Sequence, residues 1–179
     1  MLQDRLFKIV VSLICVVPVL SSCGGEEASE SKVATSESQQ VISCSPAPTA
    51  TEGEVDNTDL SIKPSIQTPS KPPVDLEVED IVEGSGSQAS AGSFLVMQYV
   101  GVLCSTGVQF DASWDRGQPF SFELGAGKVI QGWDEGIEGM AVGGRRLLTI
   151  PPEKAYGSSG SGSGSIGPNE TLLFIVDLL

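Results

Sequence analysis

The C-terminal part of the chain consists of short apolar segments separated by glycine-rich turns, and this pattern constrains the fold most. Residues Val74–Asp80 alternate apolar and acidic side chains, which is typical of a strand with one face in water. Four further segments have the composition of strands: Ser93–Leu103, Pro119–Leu124, Arg145–Pro151 and Thr171–Leu179. Short strands joined by tight turns predict an antiparallel sheet.

One stretch has helical spacing. Trp133, Ile137 and Met140 fall at positions i, i+4 and i+7, so they share one face of a helix. A helix of about ten residues is unstable alone in water and must be held by packing. We therefore predict an α+β fold, in which a five-stranded twisted antiparallel sheet wraps around one short helix. The predicted domain spans residues 74–179, an ordinary size for a single core.

The N-terminus has the features of an export signal. Arg5 and Lys8 are followed by the apolar run Ile9–Leu20, whose 12 residues are too few to span a bilayer. A basic start before a short apolar run is typical of a secretory signal peptide.

The residues at the end of this run, Leu20-Ser21-Ser22-Cys23, resemble the lipobox of bacterial lipoproteins. The resemblance implies that residues 1–22 are removed and that Cys23 receives lipid. It places the chain on the extracytoplasmic face of a bacterial cell membrane, where several acyl chains would hold it firmly. The alternative is an ordinary signal peptide with an incidental cysteine.

A polar segment joins the signal to the domain. Residues 24–73 contain no Phe, Trp or Tyr and are rich in Ser, Thr, Glu and Pro. Such a composition buries too little apolar surface to offset the entropy lost on ordering. We therefore expect residues 23–73 to be a lipidated cysteine followed by a disordered linker.

Composition also limits the possible ligands. The net charge is −13, and an acidic chain repels the phosphates of nucleic acid. The chain has no histidine, so neither a metal site nor a cofactor is predicted. Of its four cysteines, Cys15 lies in the signal and Cys23 would carry lipid. Outside the cytoplasm the other two, Cys44 and Cys104, can pair or remain free.

Four segments occur in the order and spacing of a known family. They are QYVG (Gln98–Gly101), FDASWDRGQPFSFELGAGKVIQGWDEGIEGMAVGGRR (Phe110–Arg146), IPPEKAYG (Ile150–Gly157) and NETLLFIVDLL (Asn169–Leu179). Together they resemble the FKBP-type peptidyl-prolyl cis–trans isomerases, the macrolide-binding immunophilins. The resemblance covers residues 74–179 and implies an apolar pocket between the sheet and the helix.

The resemblance also implies which residues form that pocket. Asp111, Trp133 and Tyr156 would be the catalytic residues, with Trp133 as the floor under a proline ring. The implied substrate-binding residues are Tyr99, Phe110, Arg116, Phe120, Val129, Ile130, Ile166 and Phe174. The Tyr156 hydroxyl and the Ile130 N–H would bind substrate carbonyls. The loop at 157–165 departs from the family pattern because it consists entirely of Gly and Ser.

The implied function is isomerisation of X–Pro bonds during folding of exported proteins. The expected partners are proline-containing polypeptides and macrolide inhibitors, and the chain is expected to be monomeric. An apolar residue before proline should be preferred, because the acidic surface disfavours Glu or Asp there. One alternative is a non-catalytic module that binds proline-containing partners. Another, an anchored adhesin, rests only on the lipobox and the linker.

Overall fold

The structure, a computed structural model, describes residues 43–44 and 56–179, and these contain one antiparallel sheet. Its strands are β1 (Glu77–Val82), β2 (Phe94–Leu103), β3 (Gln109–Ala112), β4 (Phe120–Glu123), β5 (Arg145–Ile150) and β6 (Leu172–Leu178). The helices are α1 (Ser113–Arg116), α2 (Gln131–Ile137) and two 3₁₀ turns, Pro152–Lys154 and Gly157–Ser159. The strand order is β1–β5–β6–β2–β3, and β4 also pairs with β2.

Strand β2 is the longest strand and organises the sheet. One of its edges pairs with β6 along its length, from Met97 to Leu103. The other edge is shared: the start of β2 pairs with β4, and its later part pairs with β3. Tyr99 stands between these two pairings, beside the short helix α1 that follows β3.

Helix α2 packs closely on the sheet because two glycines face it. A Cβ atom added at Gly132 would lie 2.9 Å from Cδ1 of Ile150 and closer still to its Cγ2. One at Gly136 would lie 2.8 Å from Cδ2 of Leu148. Both partners belong to β5. Because glycine has no side chain, the backbone of α2 can lie directly against β5. This close approach sets the depth of the space beside the helix.

The antiparallel sheet and its one main short helix are confirmed, but the count of five strands is wrong. The sixth strand, β3, has only four residues and a bulge opposite Gly101 and Val102. Its alternation of apolar and polar residues is therefore too short to predict the strand. Strand β1 begins at Glu77 rather than Val74, because pairing with β5 starts at Glu77. Val74, which follows two prolines, is 85% exposed.

Strand β6 is buried on both faces of the sheet. Leu172, Phe174 and Val176 belong to the core cluster that contains α2. Leu173 and Ile175 belong to a second cluster on the opposite face. This second cluster also contains the following buried residues: Cys44, Ile66, Val100, Val102, Cys104 and Ala112. The outer face of the sheet is therefore covered by residues that precede the predicted domain.

The segment 56–73 is attached to the sheet through a buried arginine. Arg145 is completely buried and binds Asp177 through Nε (2.5 Å) and Nη2 (2.8 Å). Its remaining donors reach the backbone carbonyls of Asn57, Asp59 and Ile62 at 3.0–3.1 Å. The five N–H groups of this guanidinium thus each have an acceptor, which a buried cation requires.

The prediction of a disordered linker through residue 73 is therefore wrong for residues 56–73. The segment is stabilised by few apolar side chains, of which Ile66 is 7% exposed, and largely by its backbone carbonyls. A composition argument counts apolar side chains and does not detect this kind of attachment. The predicted signal, Cys23 and residues 24–42 and 45–55 lie outside the described residues. Among helices in the described part, none has the length and apolarity needed to cross a membrane.

Cys44 and Cys104 are joined by a disulfide, with their Cα atoms 4.6 Å apart. The alternative of two free thiols, which the sequence left open, is not what the structure contains. Both cysteines are buried, at 4% and 0% exposure, in the cluster on the outer face of the sheet. The chain at Cys44 is thus fixed to the residue that follows β2.

Candidate active site

A cavity of about 190 Å³ opens between α2 and the sheet. Its lining residues are Tyr99, Phe110, Asp111, Phe120, Lys128, Val129, Ile130, Trp133, Tyr156 and Phe174. Nine of the eleven site residues predicted from the sequence are among them. They come from β2, β3, β4, β6, α2 and the segments before and after α2, so only the folded sheet brings them together.

Trp133 lies at the centre of an aromatic cluster. It is 4% exposed, and its ring meets those of Tyr99 and Phe174 at centroid distances of 5.2 Å, nearly edge to face. Phe120 contacts it at 6.0 Å and Phe122 at 5.7 Å. Edge-to-face pairs at such distances are favourable beyond their buried area. The rings therefore form a rigid apolar floor and wall.

Gly101 makes room for two of these rings. It pairs with Phe174 across β2 and β6. A Cβ atom on Gly101 would lie 2.7 Å from Cε1 of Phe174 and 2.8 Å from Cζ of Phe110. Those two rings meet edge to face at 5.5 Å. The glycine lets them lie over the strand, where they close one side of the cavity.

The polar edge of the cavity is a closed hydrogen-bonded set. The Tyr99 hydroxyl donates to Oδ2 of Asp111, and Nη2 of Arg116 donates to the Tyr99 hydroxyl at 2.8 Å. Nη1 of Arg116 also donates to Oδ1 of Asp111. Burial of the phenol, and next its bond to Asp111, raise the pKa of Tyr99 to about 12. Tyr99 therefore remains a neutral wall residue, and its hydroxyl is occupied.

Among the described residues, three hydrogen-bond donors at the cavity are free, in contrast to Tyr99, and two of them stand at its rim. The Tyr156 hydroxyl has no partner within residues 56–179, and its side chain is 41% exposed. The Ile130 N–H, just before α2, donates to no backbone carbonyl of the described residues. The buried indole N–H of Trp133 also lacks a partner there. An apolar floor with free donors at its rim can hold a ring whose neighbouring groups carry carbonyls.

Two predicted residues do not line the cavity. Arg116 belongs to the polar edge just described and lines an adjoining depression that shares Phe120 with the cavity. Ile166 is 5% exposed and packs into the core near α2. Its loop is held by a hydrogen bond from the Ser161 N–H to the Ile166 carbonyl and one from the Ile166 N–H to the Ser161 hydroxyl, at 2.9 and 3.0 Å.

Lys128 lines the cavity and was not predicted as a site residue. It directly precedes Val129 and Ile130, which were, so proximity in sequence was the available signal. Trp114, in the short helix α1, packs against the second cluster on the outer face of the sheet and does not line the cavity.

Comparisons with known proteins agree with this geometry. The profile of a family described as "FKBP-type peptidyl-prolyl cis-trans isomerase" matches residues 85–179. The "FK506-binding protein" of Streptomyces anulatus is 55% identical over 118 residues, which cover 65% of this chain and 95% of that protein. The "Probable FK506-binding protein" of Corynebacterium glutamicum is 52% identical over 118 residues, which cover 65% of this chain and 97% of that protein.

A solved structure shows the same architecture. The crystal structure of AtFKBP13 is similar with a TM-score of 0.55 and 42% identity. The match covers 60% of this chain and 93% of that one. At this identity the likeness extends to sequence as well as to fold.

Proposed function

Because this chain belongs to the FKBP-type peptidyl-prolyl cis–trans isomerase family, we propose that its cavity binds a proline ring and accelerates rotation about the preceding peptide bond. The observation that carries this proposal is the pairing of a buried tryptophan floor with two free donors. Trp133 offers the apolar surface, and the Tyr156 hydroxyl and Ile130 N–H stand at its rim.

The barrier that must be lowered is amide resonance, about 18–20 kcal/mol. Resonance places negative charge on the carbonyl oxygen, and water stabilises that charge. The aromatic walls, Tyr99, Phe120 and Phe174, exclude water from the bound amide. Loss of that solvation favours the twisted amide, in which the C–N bond has lost its double-bond character. The reaction uses no nucleophile and no proton transfer from the protein.

The free donors serve to orient the substrate. The Tyr156 hydroxyl and the Ile130 N–H each donate to a carbonyl of the bound polypeptide, so that the proline ring stays on Trp133 during rotation. Asp111 contributes indirectly. It accepts hydrogen bonds from both Tyr99 and Arg116 and so fixes the Tyr99 wall. We assign Asp111 as a positioning residue and Trp133 and Tyr156 as the groups that touch substrate.

The test is the cis–trans exchange rate of a short peptide with Leu or Phe before proline. The chain should raise this rate over the uncatalysed one, and a macrolide of the FK506 type should compete. Tyr156→Phe should lower kcat/KM about two- to tenfold, the value of one neutral hydrogen bond. A folded chain that binds the peptide without accelerating exchange would instead be a non-catalytic binding module.

We propose further that the chain acts at the cell envelope on exported polypeptides. Support comes from the signal-like N-terminus and from Leu20–Cys23, which resembles a lipobox. The Cys44–Cys104 disulfide is also typical of proteins outside the cytoplasm. Cys23→Ala should abolish labelling by a radioactive fatty acid and release the chain from the membrane fraction. Labelling that persists in this variant would exclude lipidation at Cys23.

We also propose that the catalytic unit is a monomer, since the site is built from residues of one chain. Light scattering of the purified protein should give the mass of a single chain across the concentrations used for activity. A stable dimer would contradict this proposal.

A further inference from the structure

The described domain leaves two of its basic side chains unpaired. Residues 56–179 contain seven Lys and Arg residues, and five form ion pairs with carboxylates. The two without an ion pair in that range are Lys71 and Lys128. Only the second lines the cavity. In a chain of net charge −13, an unpaired cation at the site is an exception.

The turn that presents Lys128 is fixed to helix α2. The Asp134 carboxylate accepts hydrogen bonds from the N–H groups of Gly125 (2.8 Å) and Gly127 (3.2 Å). Lys128 follows directly, with an exposed side chain. Its backbone position is thus set by the helix that carries Trp133. The lysine charge is therefore held beside the cavity.

The other charges at the cavity do not neutralise Lys128. Asp111 also lines it, but this carboxylate is bound by Arg116 and Tyr99. Asp134 is bound to backbone N–H groups and forms no ion pair with Lys128. Salt screens the field of the more distant acidic side chains, because the Debye length is about 8 Å at physiological ionic strength. The charge of Lys128 is therefore not compensated by an ion pair within residues 56–179.

We propose, on the basis of the isomerase function above, that Lys128 selects substrates with a carboxylate side chain next to the proline. A Glu or Asp beside the proline ring would pair with the lysine ammonium while the ring occupies the aromatic floor. This reverses the expectation drawn from net charge, in which acidic neighbours are disfavoured. Lys128 is a specificity-determining residue in this scheme, and it takes no part in bond rotation.

The experiment compares peptides that differ only beside proline, with Leu-Pro, Glu-Pro and Pro-Glu sequences, on the purified full chain. Two quantities are measured for each peptide: kcat/KM, and affinity from tryptophan fluorescence. The readout is the value for the acidic peptide divided by the value for the Leu peptide. In Lys128→Gln this ratio should fall about two- to fivefold for one of the acidic peptides, the size of an exposed ion pair. Lys128→Glu should lower it further, and about 1 M salt should abolish the difference.

The matched control is Lys71→Gln, which removes the other unpaired lysine outside the cavity. It should leave the ratio unchanged. An equal fall of the ratio in this control would show a long-range charge effect and overturn the proposal. An unchanged ratio in Lys128→Glu would also overturn it. The affinity ratio tests Lys128 even if the chain does not catalyse exchange. Absence of exchange on the Leu peptide would overturn only the isomerase function.

Discussion

The hydroxyl of Tyr99 donates a hydrogen bond to Asp111 and accepts one from Arg116. Cζ of Arg116 also lies 5.4 Å from the centre of the Tyr99 ring. A wall of the aromatic cavity is thus fixed by an ion pair at its edge. Because the phenol cannot reach solvent freely, its ionisation is coupled to folding.

This coupling predicts an alkaline loss of stability. The pKa of Tyr99 rises from 10.0 to about 12 on folding. The stabilisation is complete below pH 10, because Tyr99 is then protonated in both states. Between about pH 10 and 12 the unfolded state loses the proton first, so stability falls as pH rises. Urea midpoints measured from about pH 9 upward should fall more steeply in wild type than in Tyr99→Phe. Equal slopes would refute the coupling.

Replacement of Asp111 should damage activity more than loss of the Tyr156 hydroxyl. Asp111→Val removes a carboxylate that accepts hydrogen bonds from the Tyr99 hydroxyl and from the Arg116 guanidinium, and so frees both side chains. We expect kcat/KM to fall about tenfold or more, because hydrogen bonds to charged groups are stronger than neutral ones. The control is Asp115→Asn, which removes the ion pair with Lys63 outside the cavity and should leave kcat/KM intact. Circular dichroism must show both variants folded.

Residues 56–73 should contribute measurably to stability. A chain that begins at Val74 leaves Arg145 without three carbonyl acceptors and removes Ile66 from the outer face. Burial of one such side chain is worth about 1.5–3 kcal/mol, and loss of acceptors for a buried cation adds to that. We expect the chain 74–179 to be less stable by about 3 kcal/mol or more than the chain 56–179. Both lack Cys44, so urea denaturation compares the segment alone, and equal midpoints would contradict its role.

Gly132→Ala should destabilise the fold although alanine favours helices. The helix preference is worth about 1 kcal/mol, whereas overpacking costs about 1–3 kcal/mol. Since the new methyl group would collide with Ile150, the cost of overpacking should exceed the gain in helix preference. Gly162→Ala is the control, because no atom lies within 4 Å of its added methyl group. Thermal melts of wild type and these two variants measure the effect, and a higher melting temperature for Gly132→Ala would contradict the prediction.

The sequence predicted the long apolar strands best. Strands β2 and β6 lie within one residue of their predicted ends, because a long run of aromatic and aliphatic residues bounded by turn residues is a clear signal. Strand β3 has four residues and a bulge, which no periodicity argument detects. The attachment of residues 56–73 escaped prediction since backbone carbonyls, which every residue carries, supply the contacts to Arg145.

The site shows the same division. Nine of the residues that line the cavity were predicted from the resemblance to the family, because rings such as Trp133 and Phe174 occupy fixed positions in the family's motifs. Lys128 could not be distinguished in this way. Its significance depends on which lysines find a carboxylate after folding, and that is a property of the tertiary structure.

The disulfide between Cys44 and Cys104 determines how the domain would bear a mechanical load. Tension on the chain before Cys44 passes through the covalent bond to Cys104, directly after β2. The segment that supplies carbonyls to Arg145 lies inside the crosslinked loop, so a pull cannot peel it from the sheet. Force enters instead at the end of the longest strand, which is paired on both edges. A chain held at its N-terminus can therefore be pulled without unravelling its outer face.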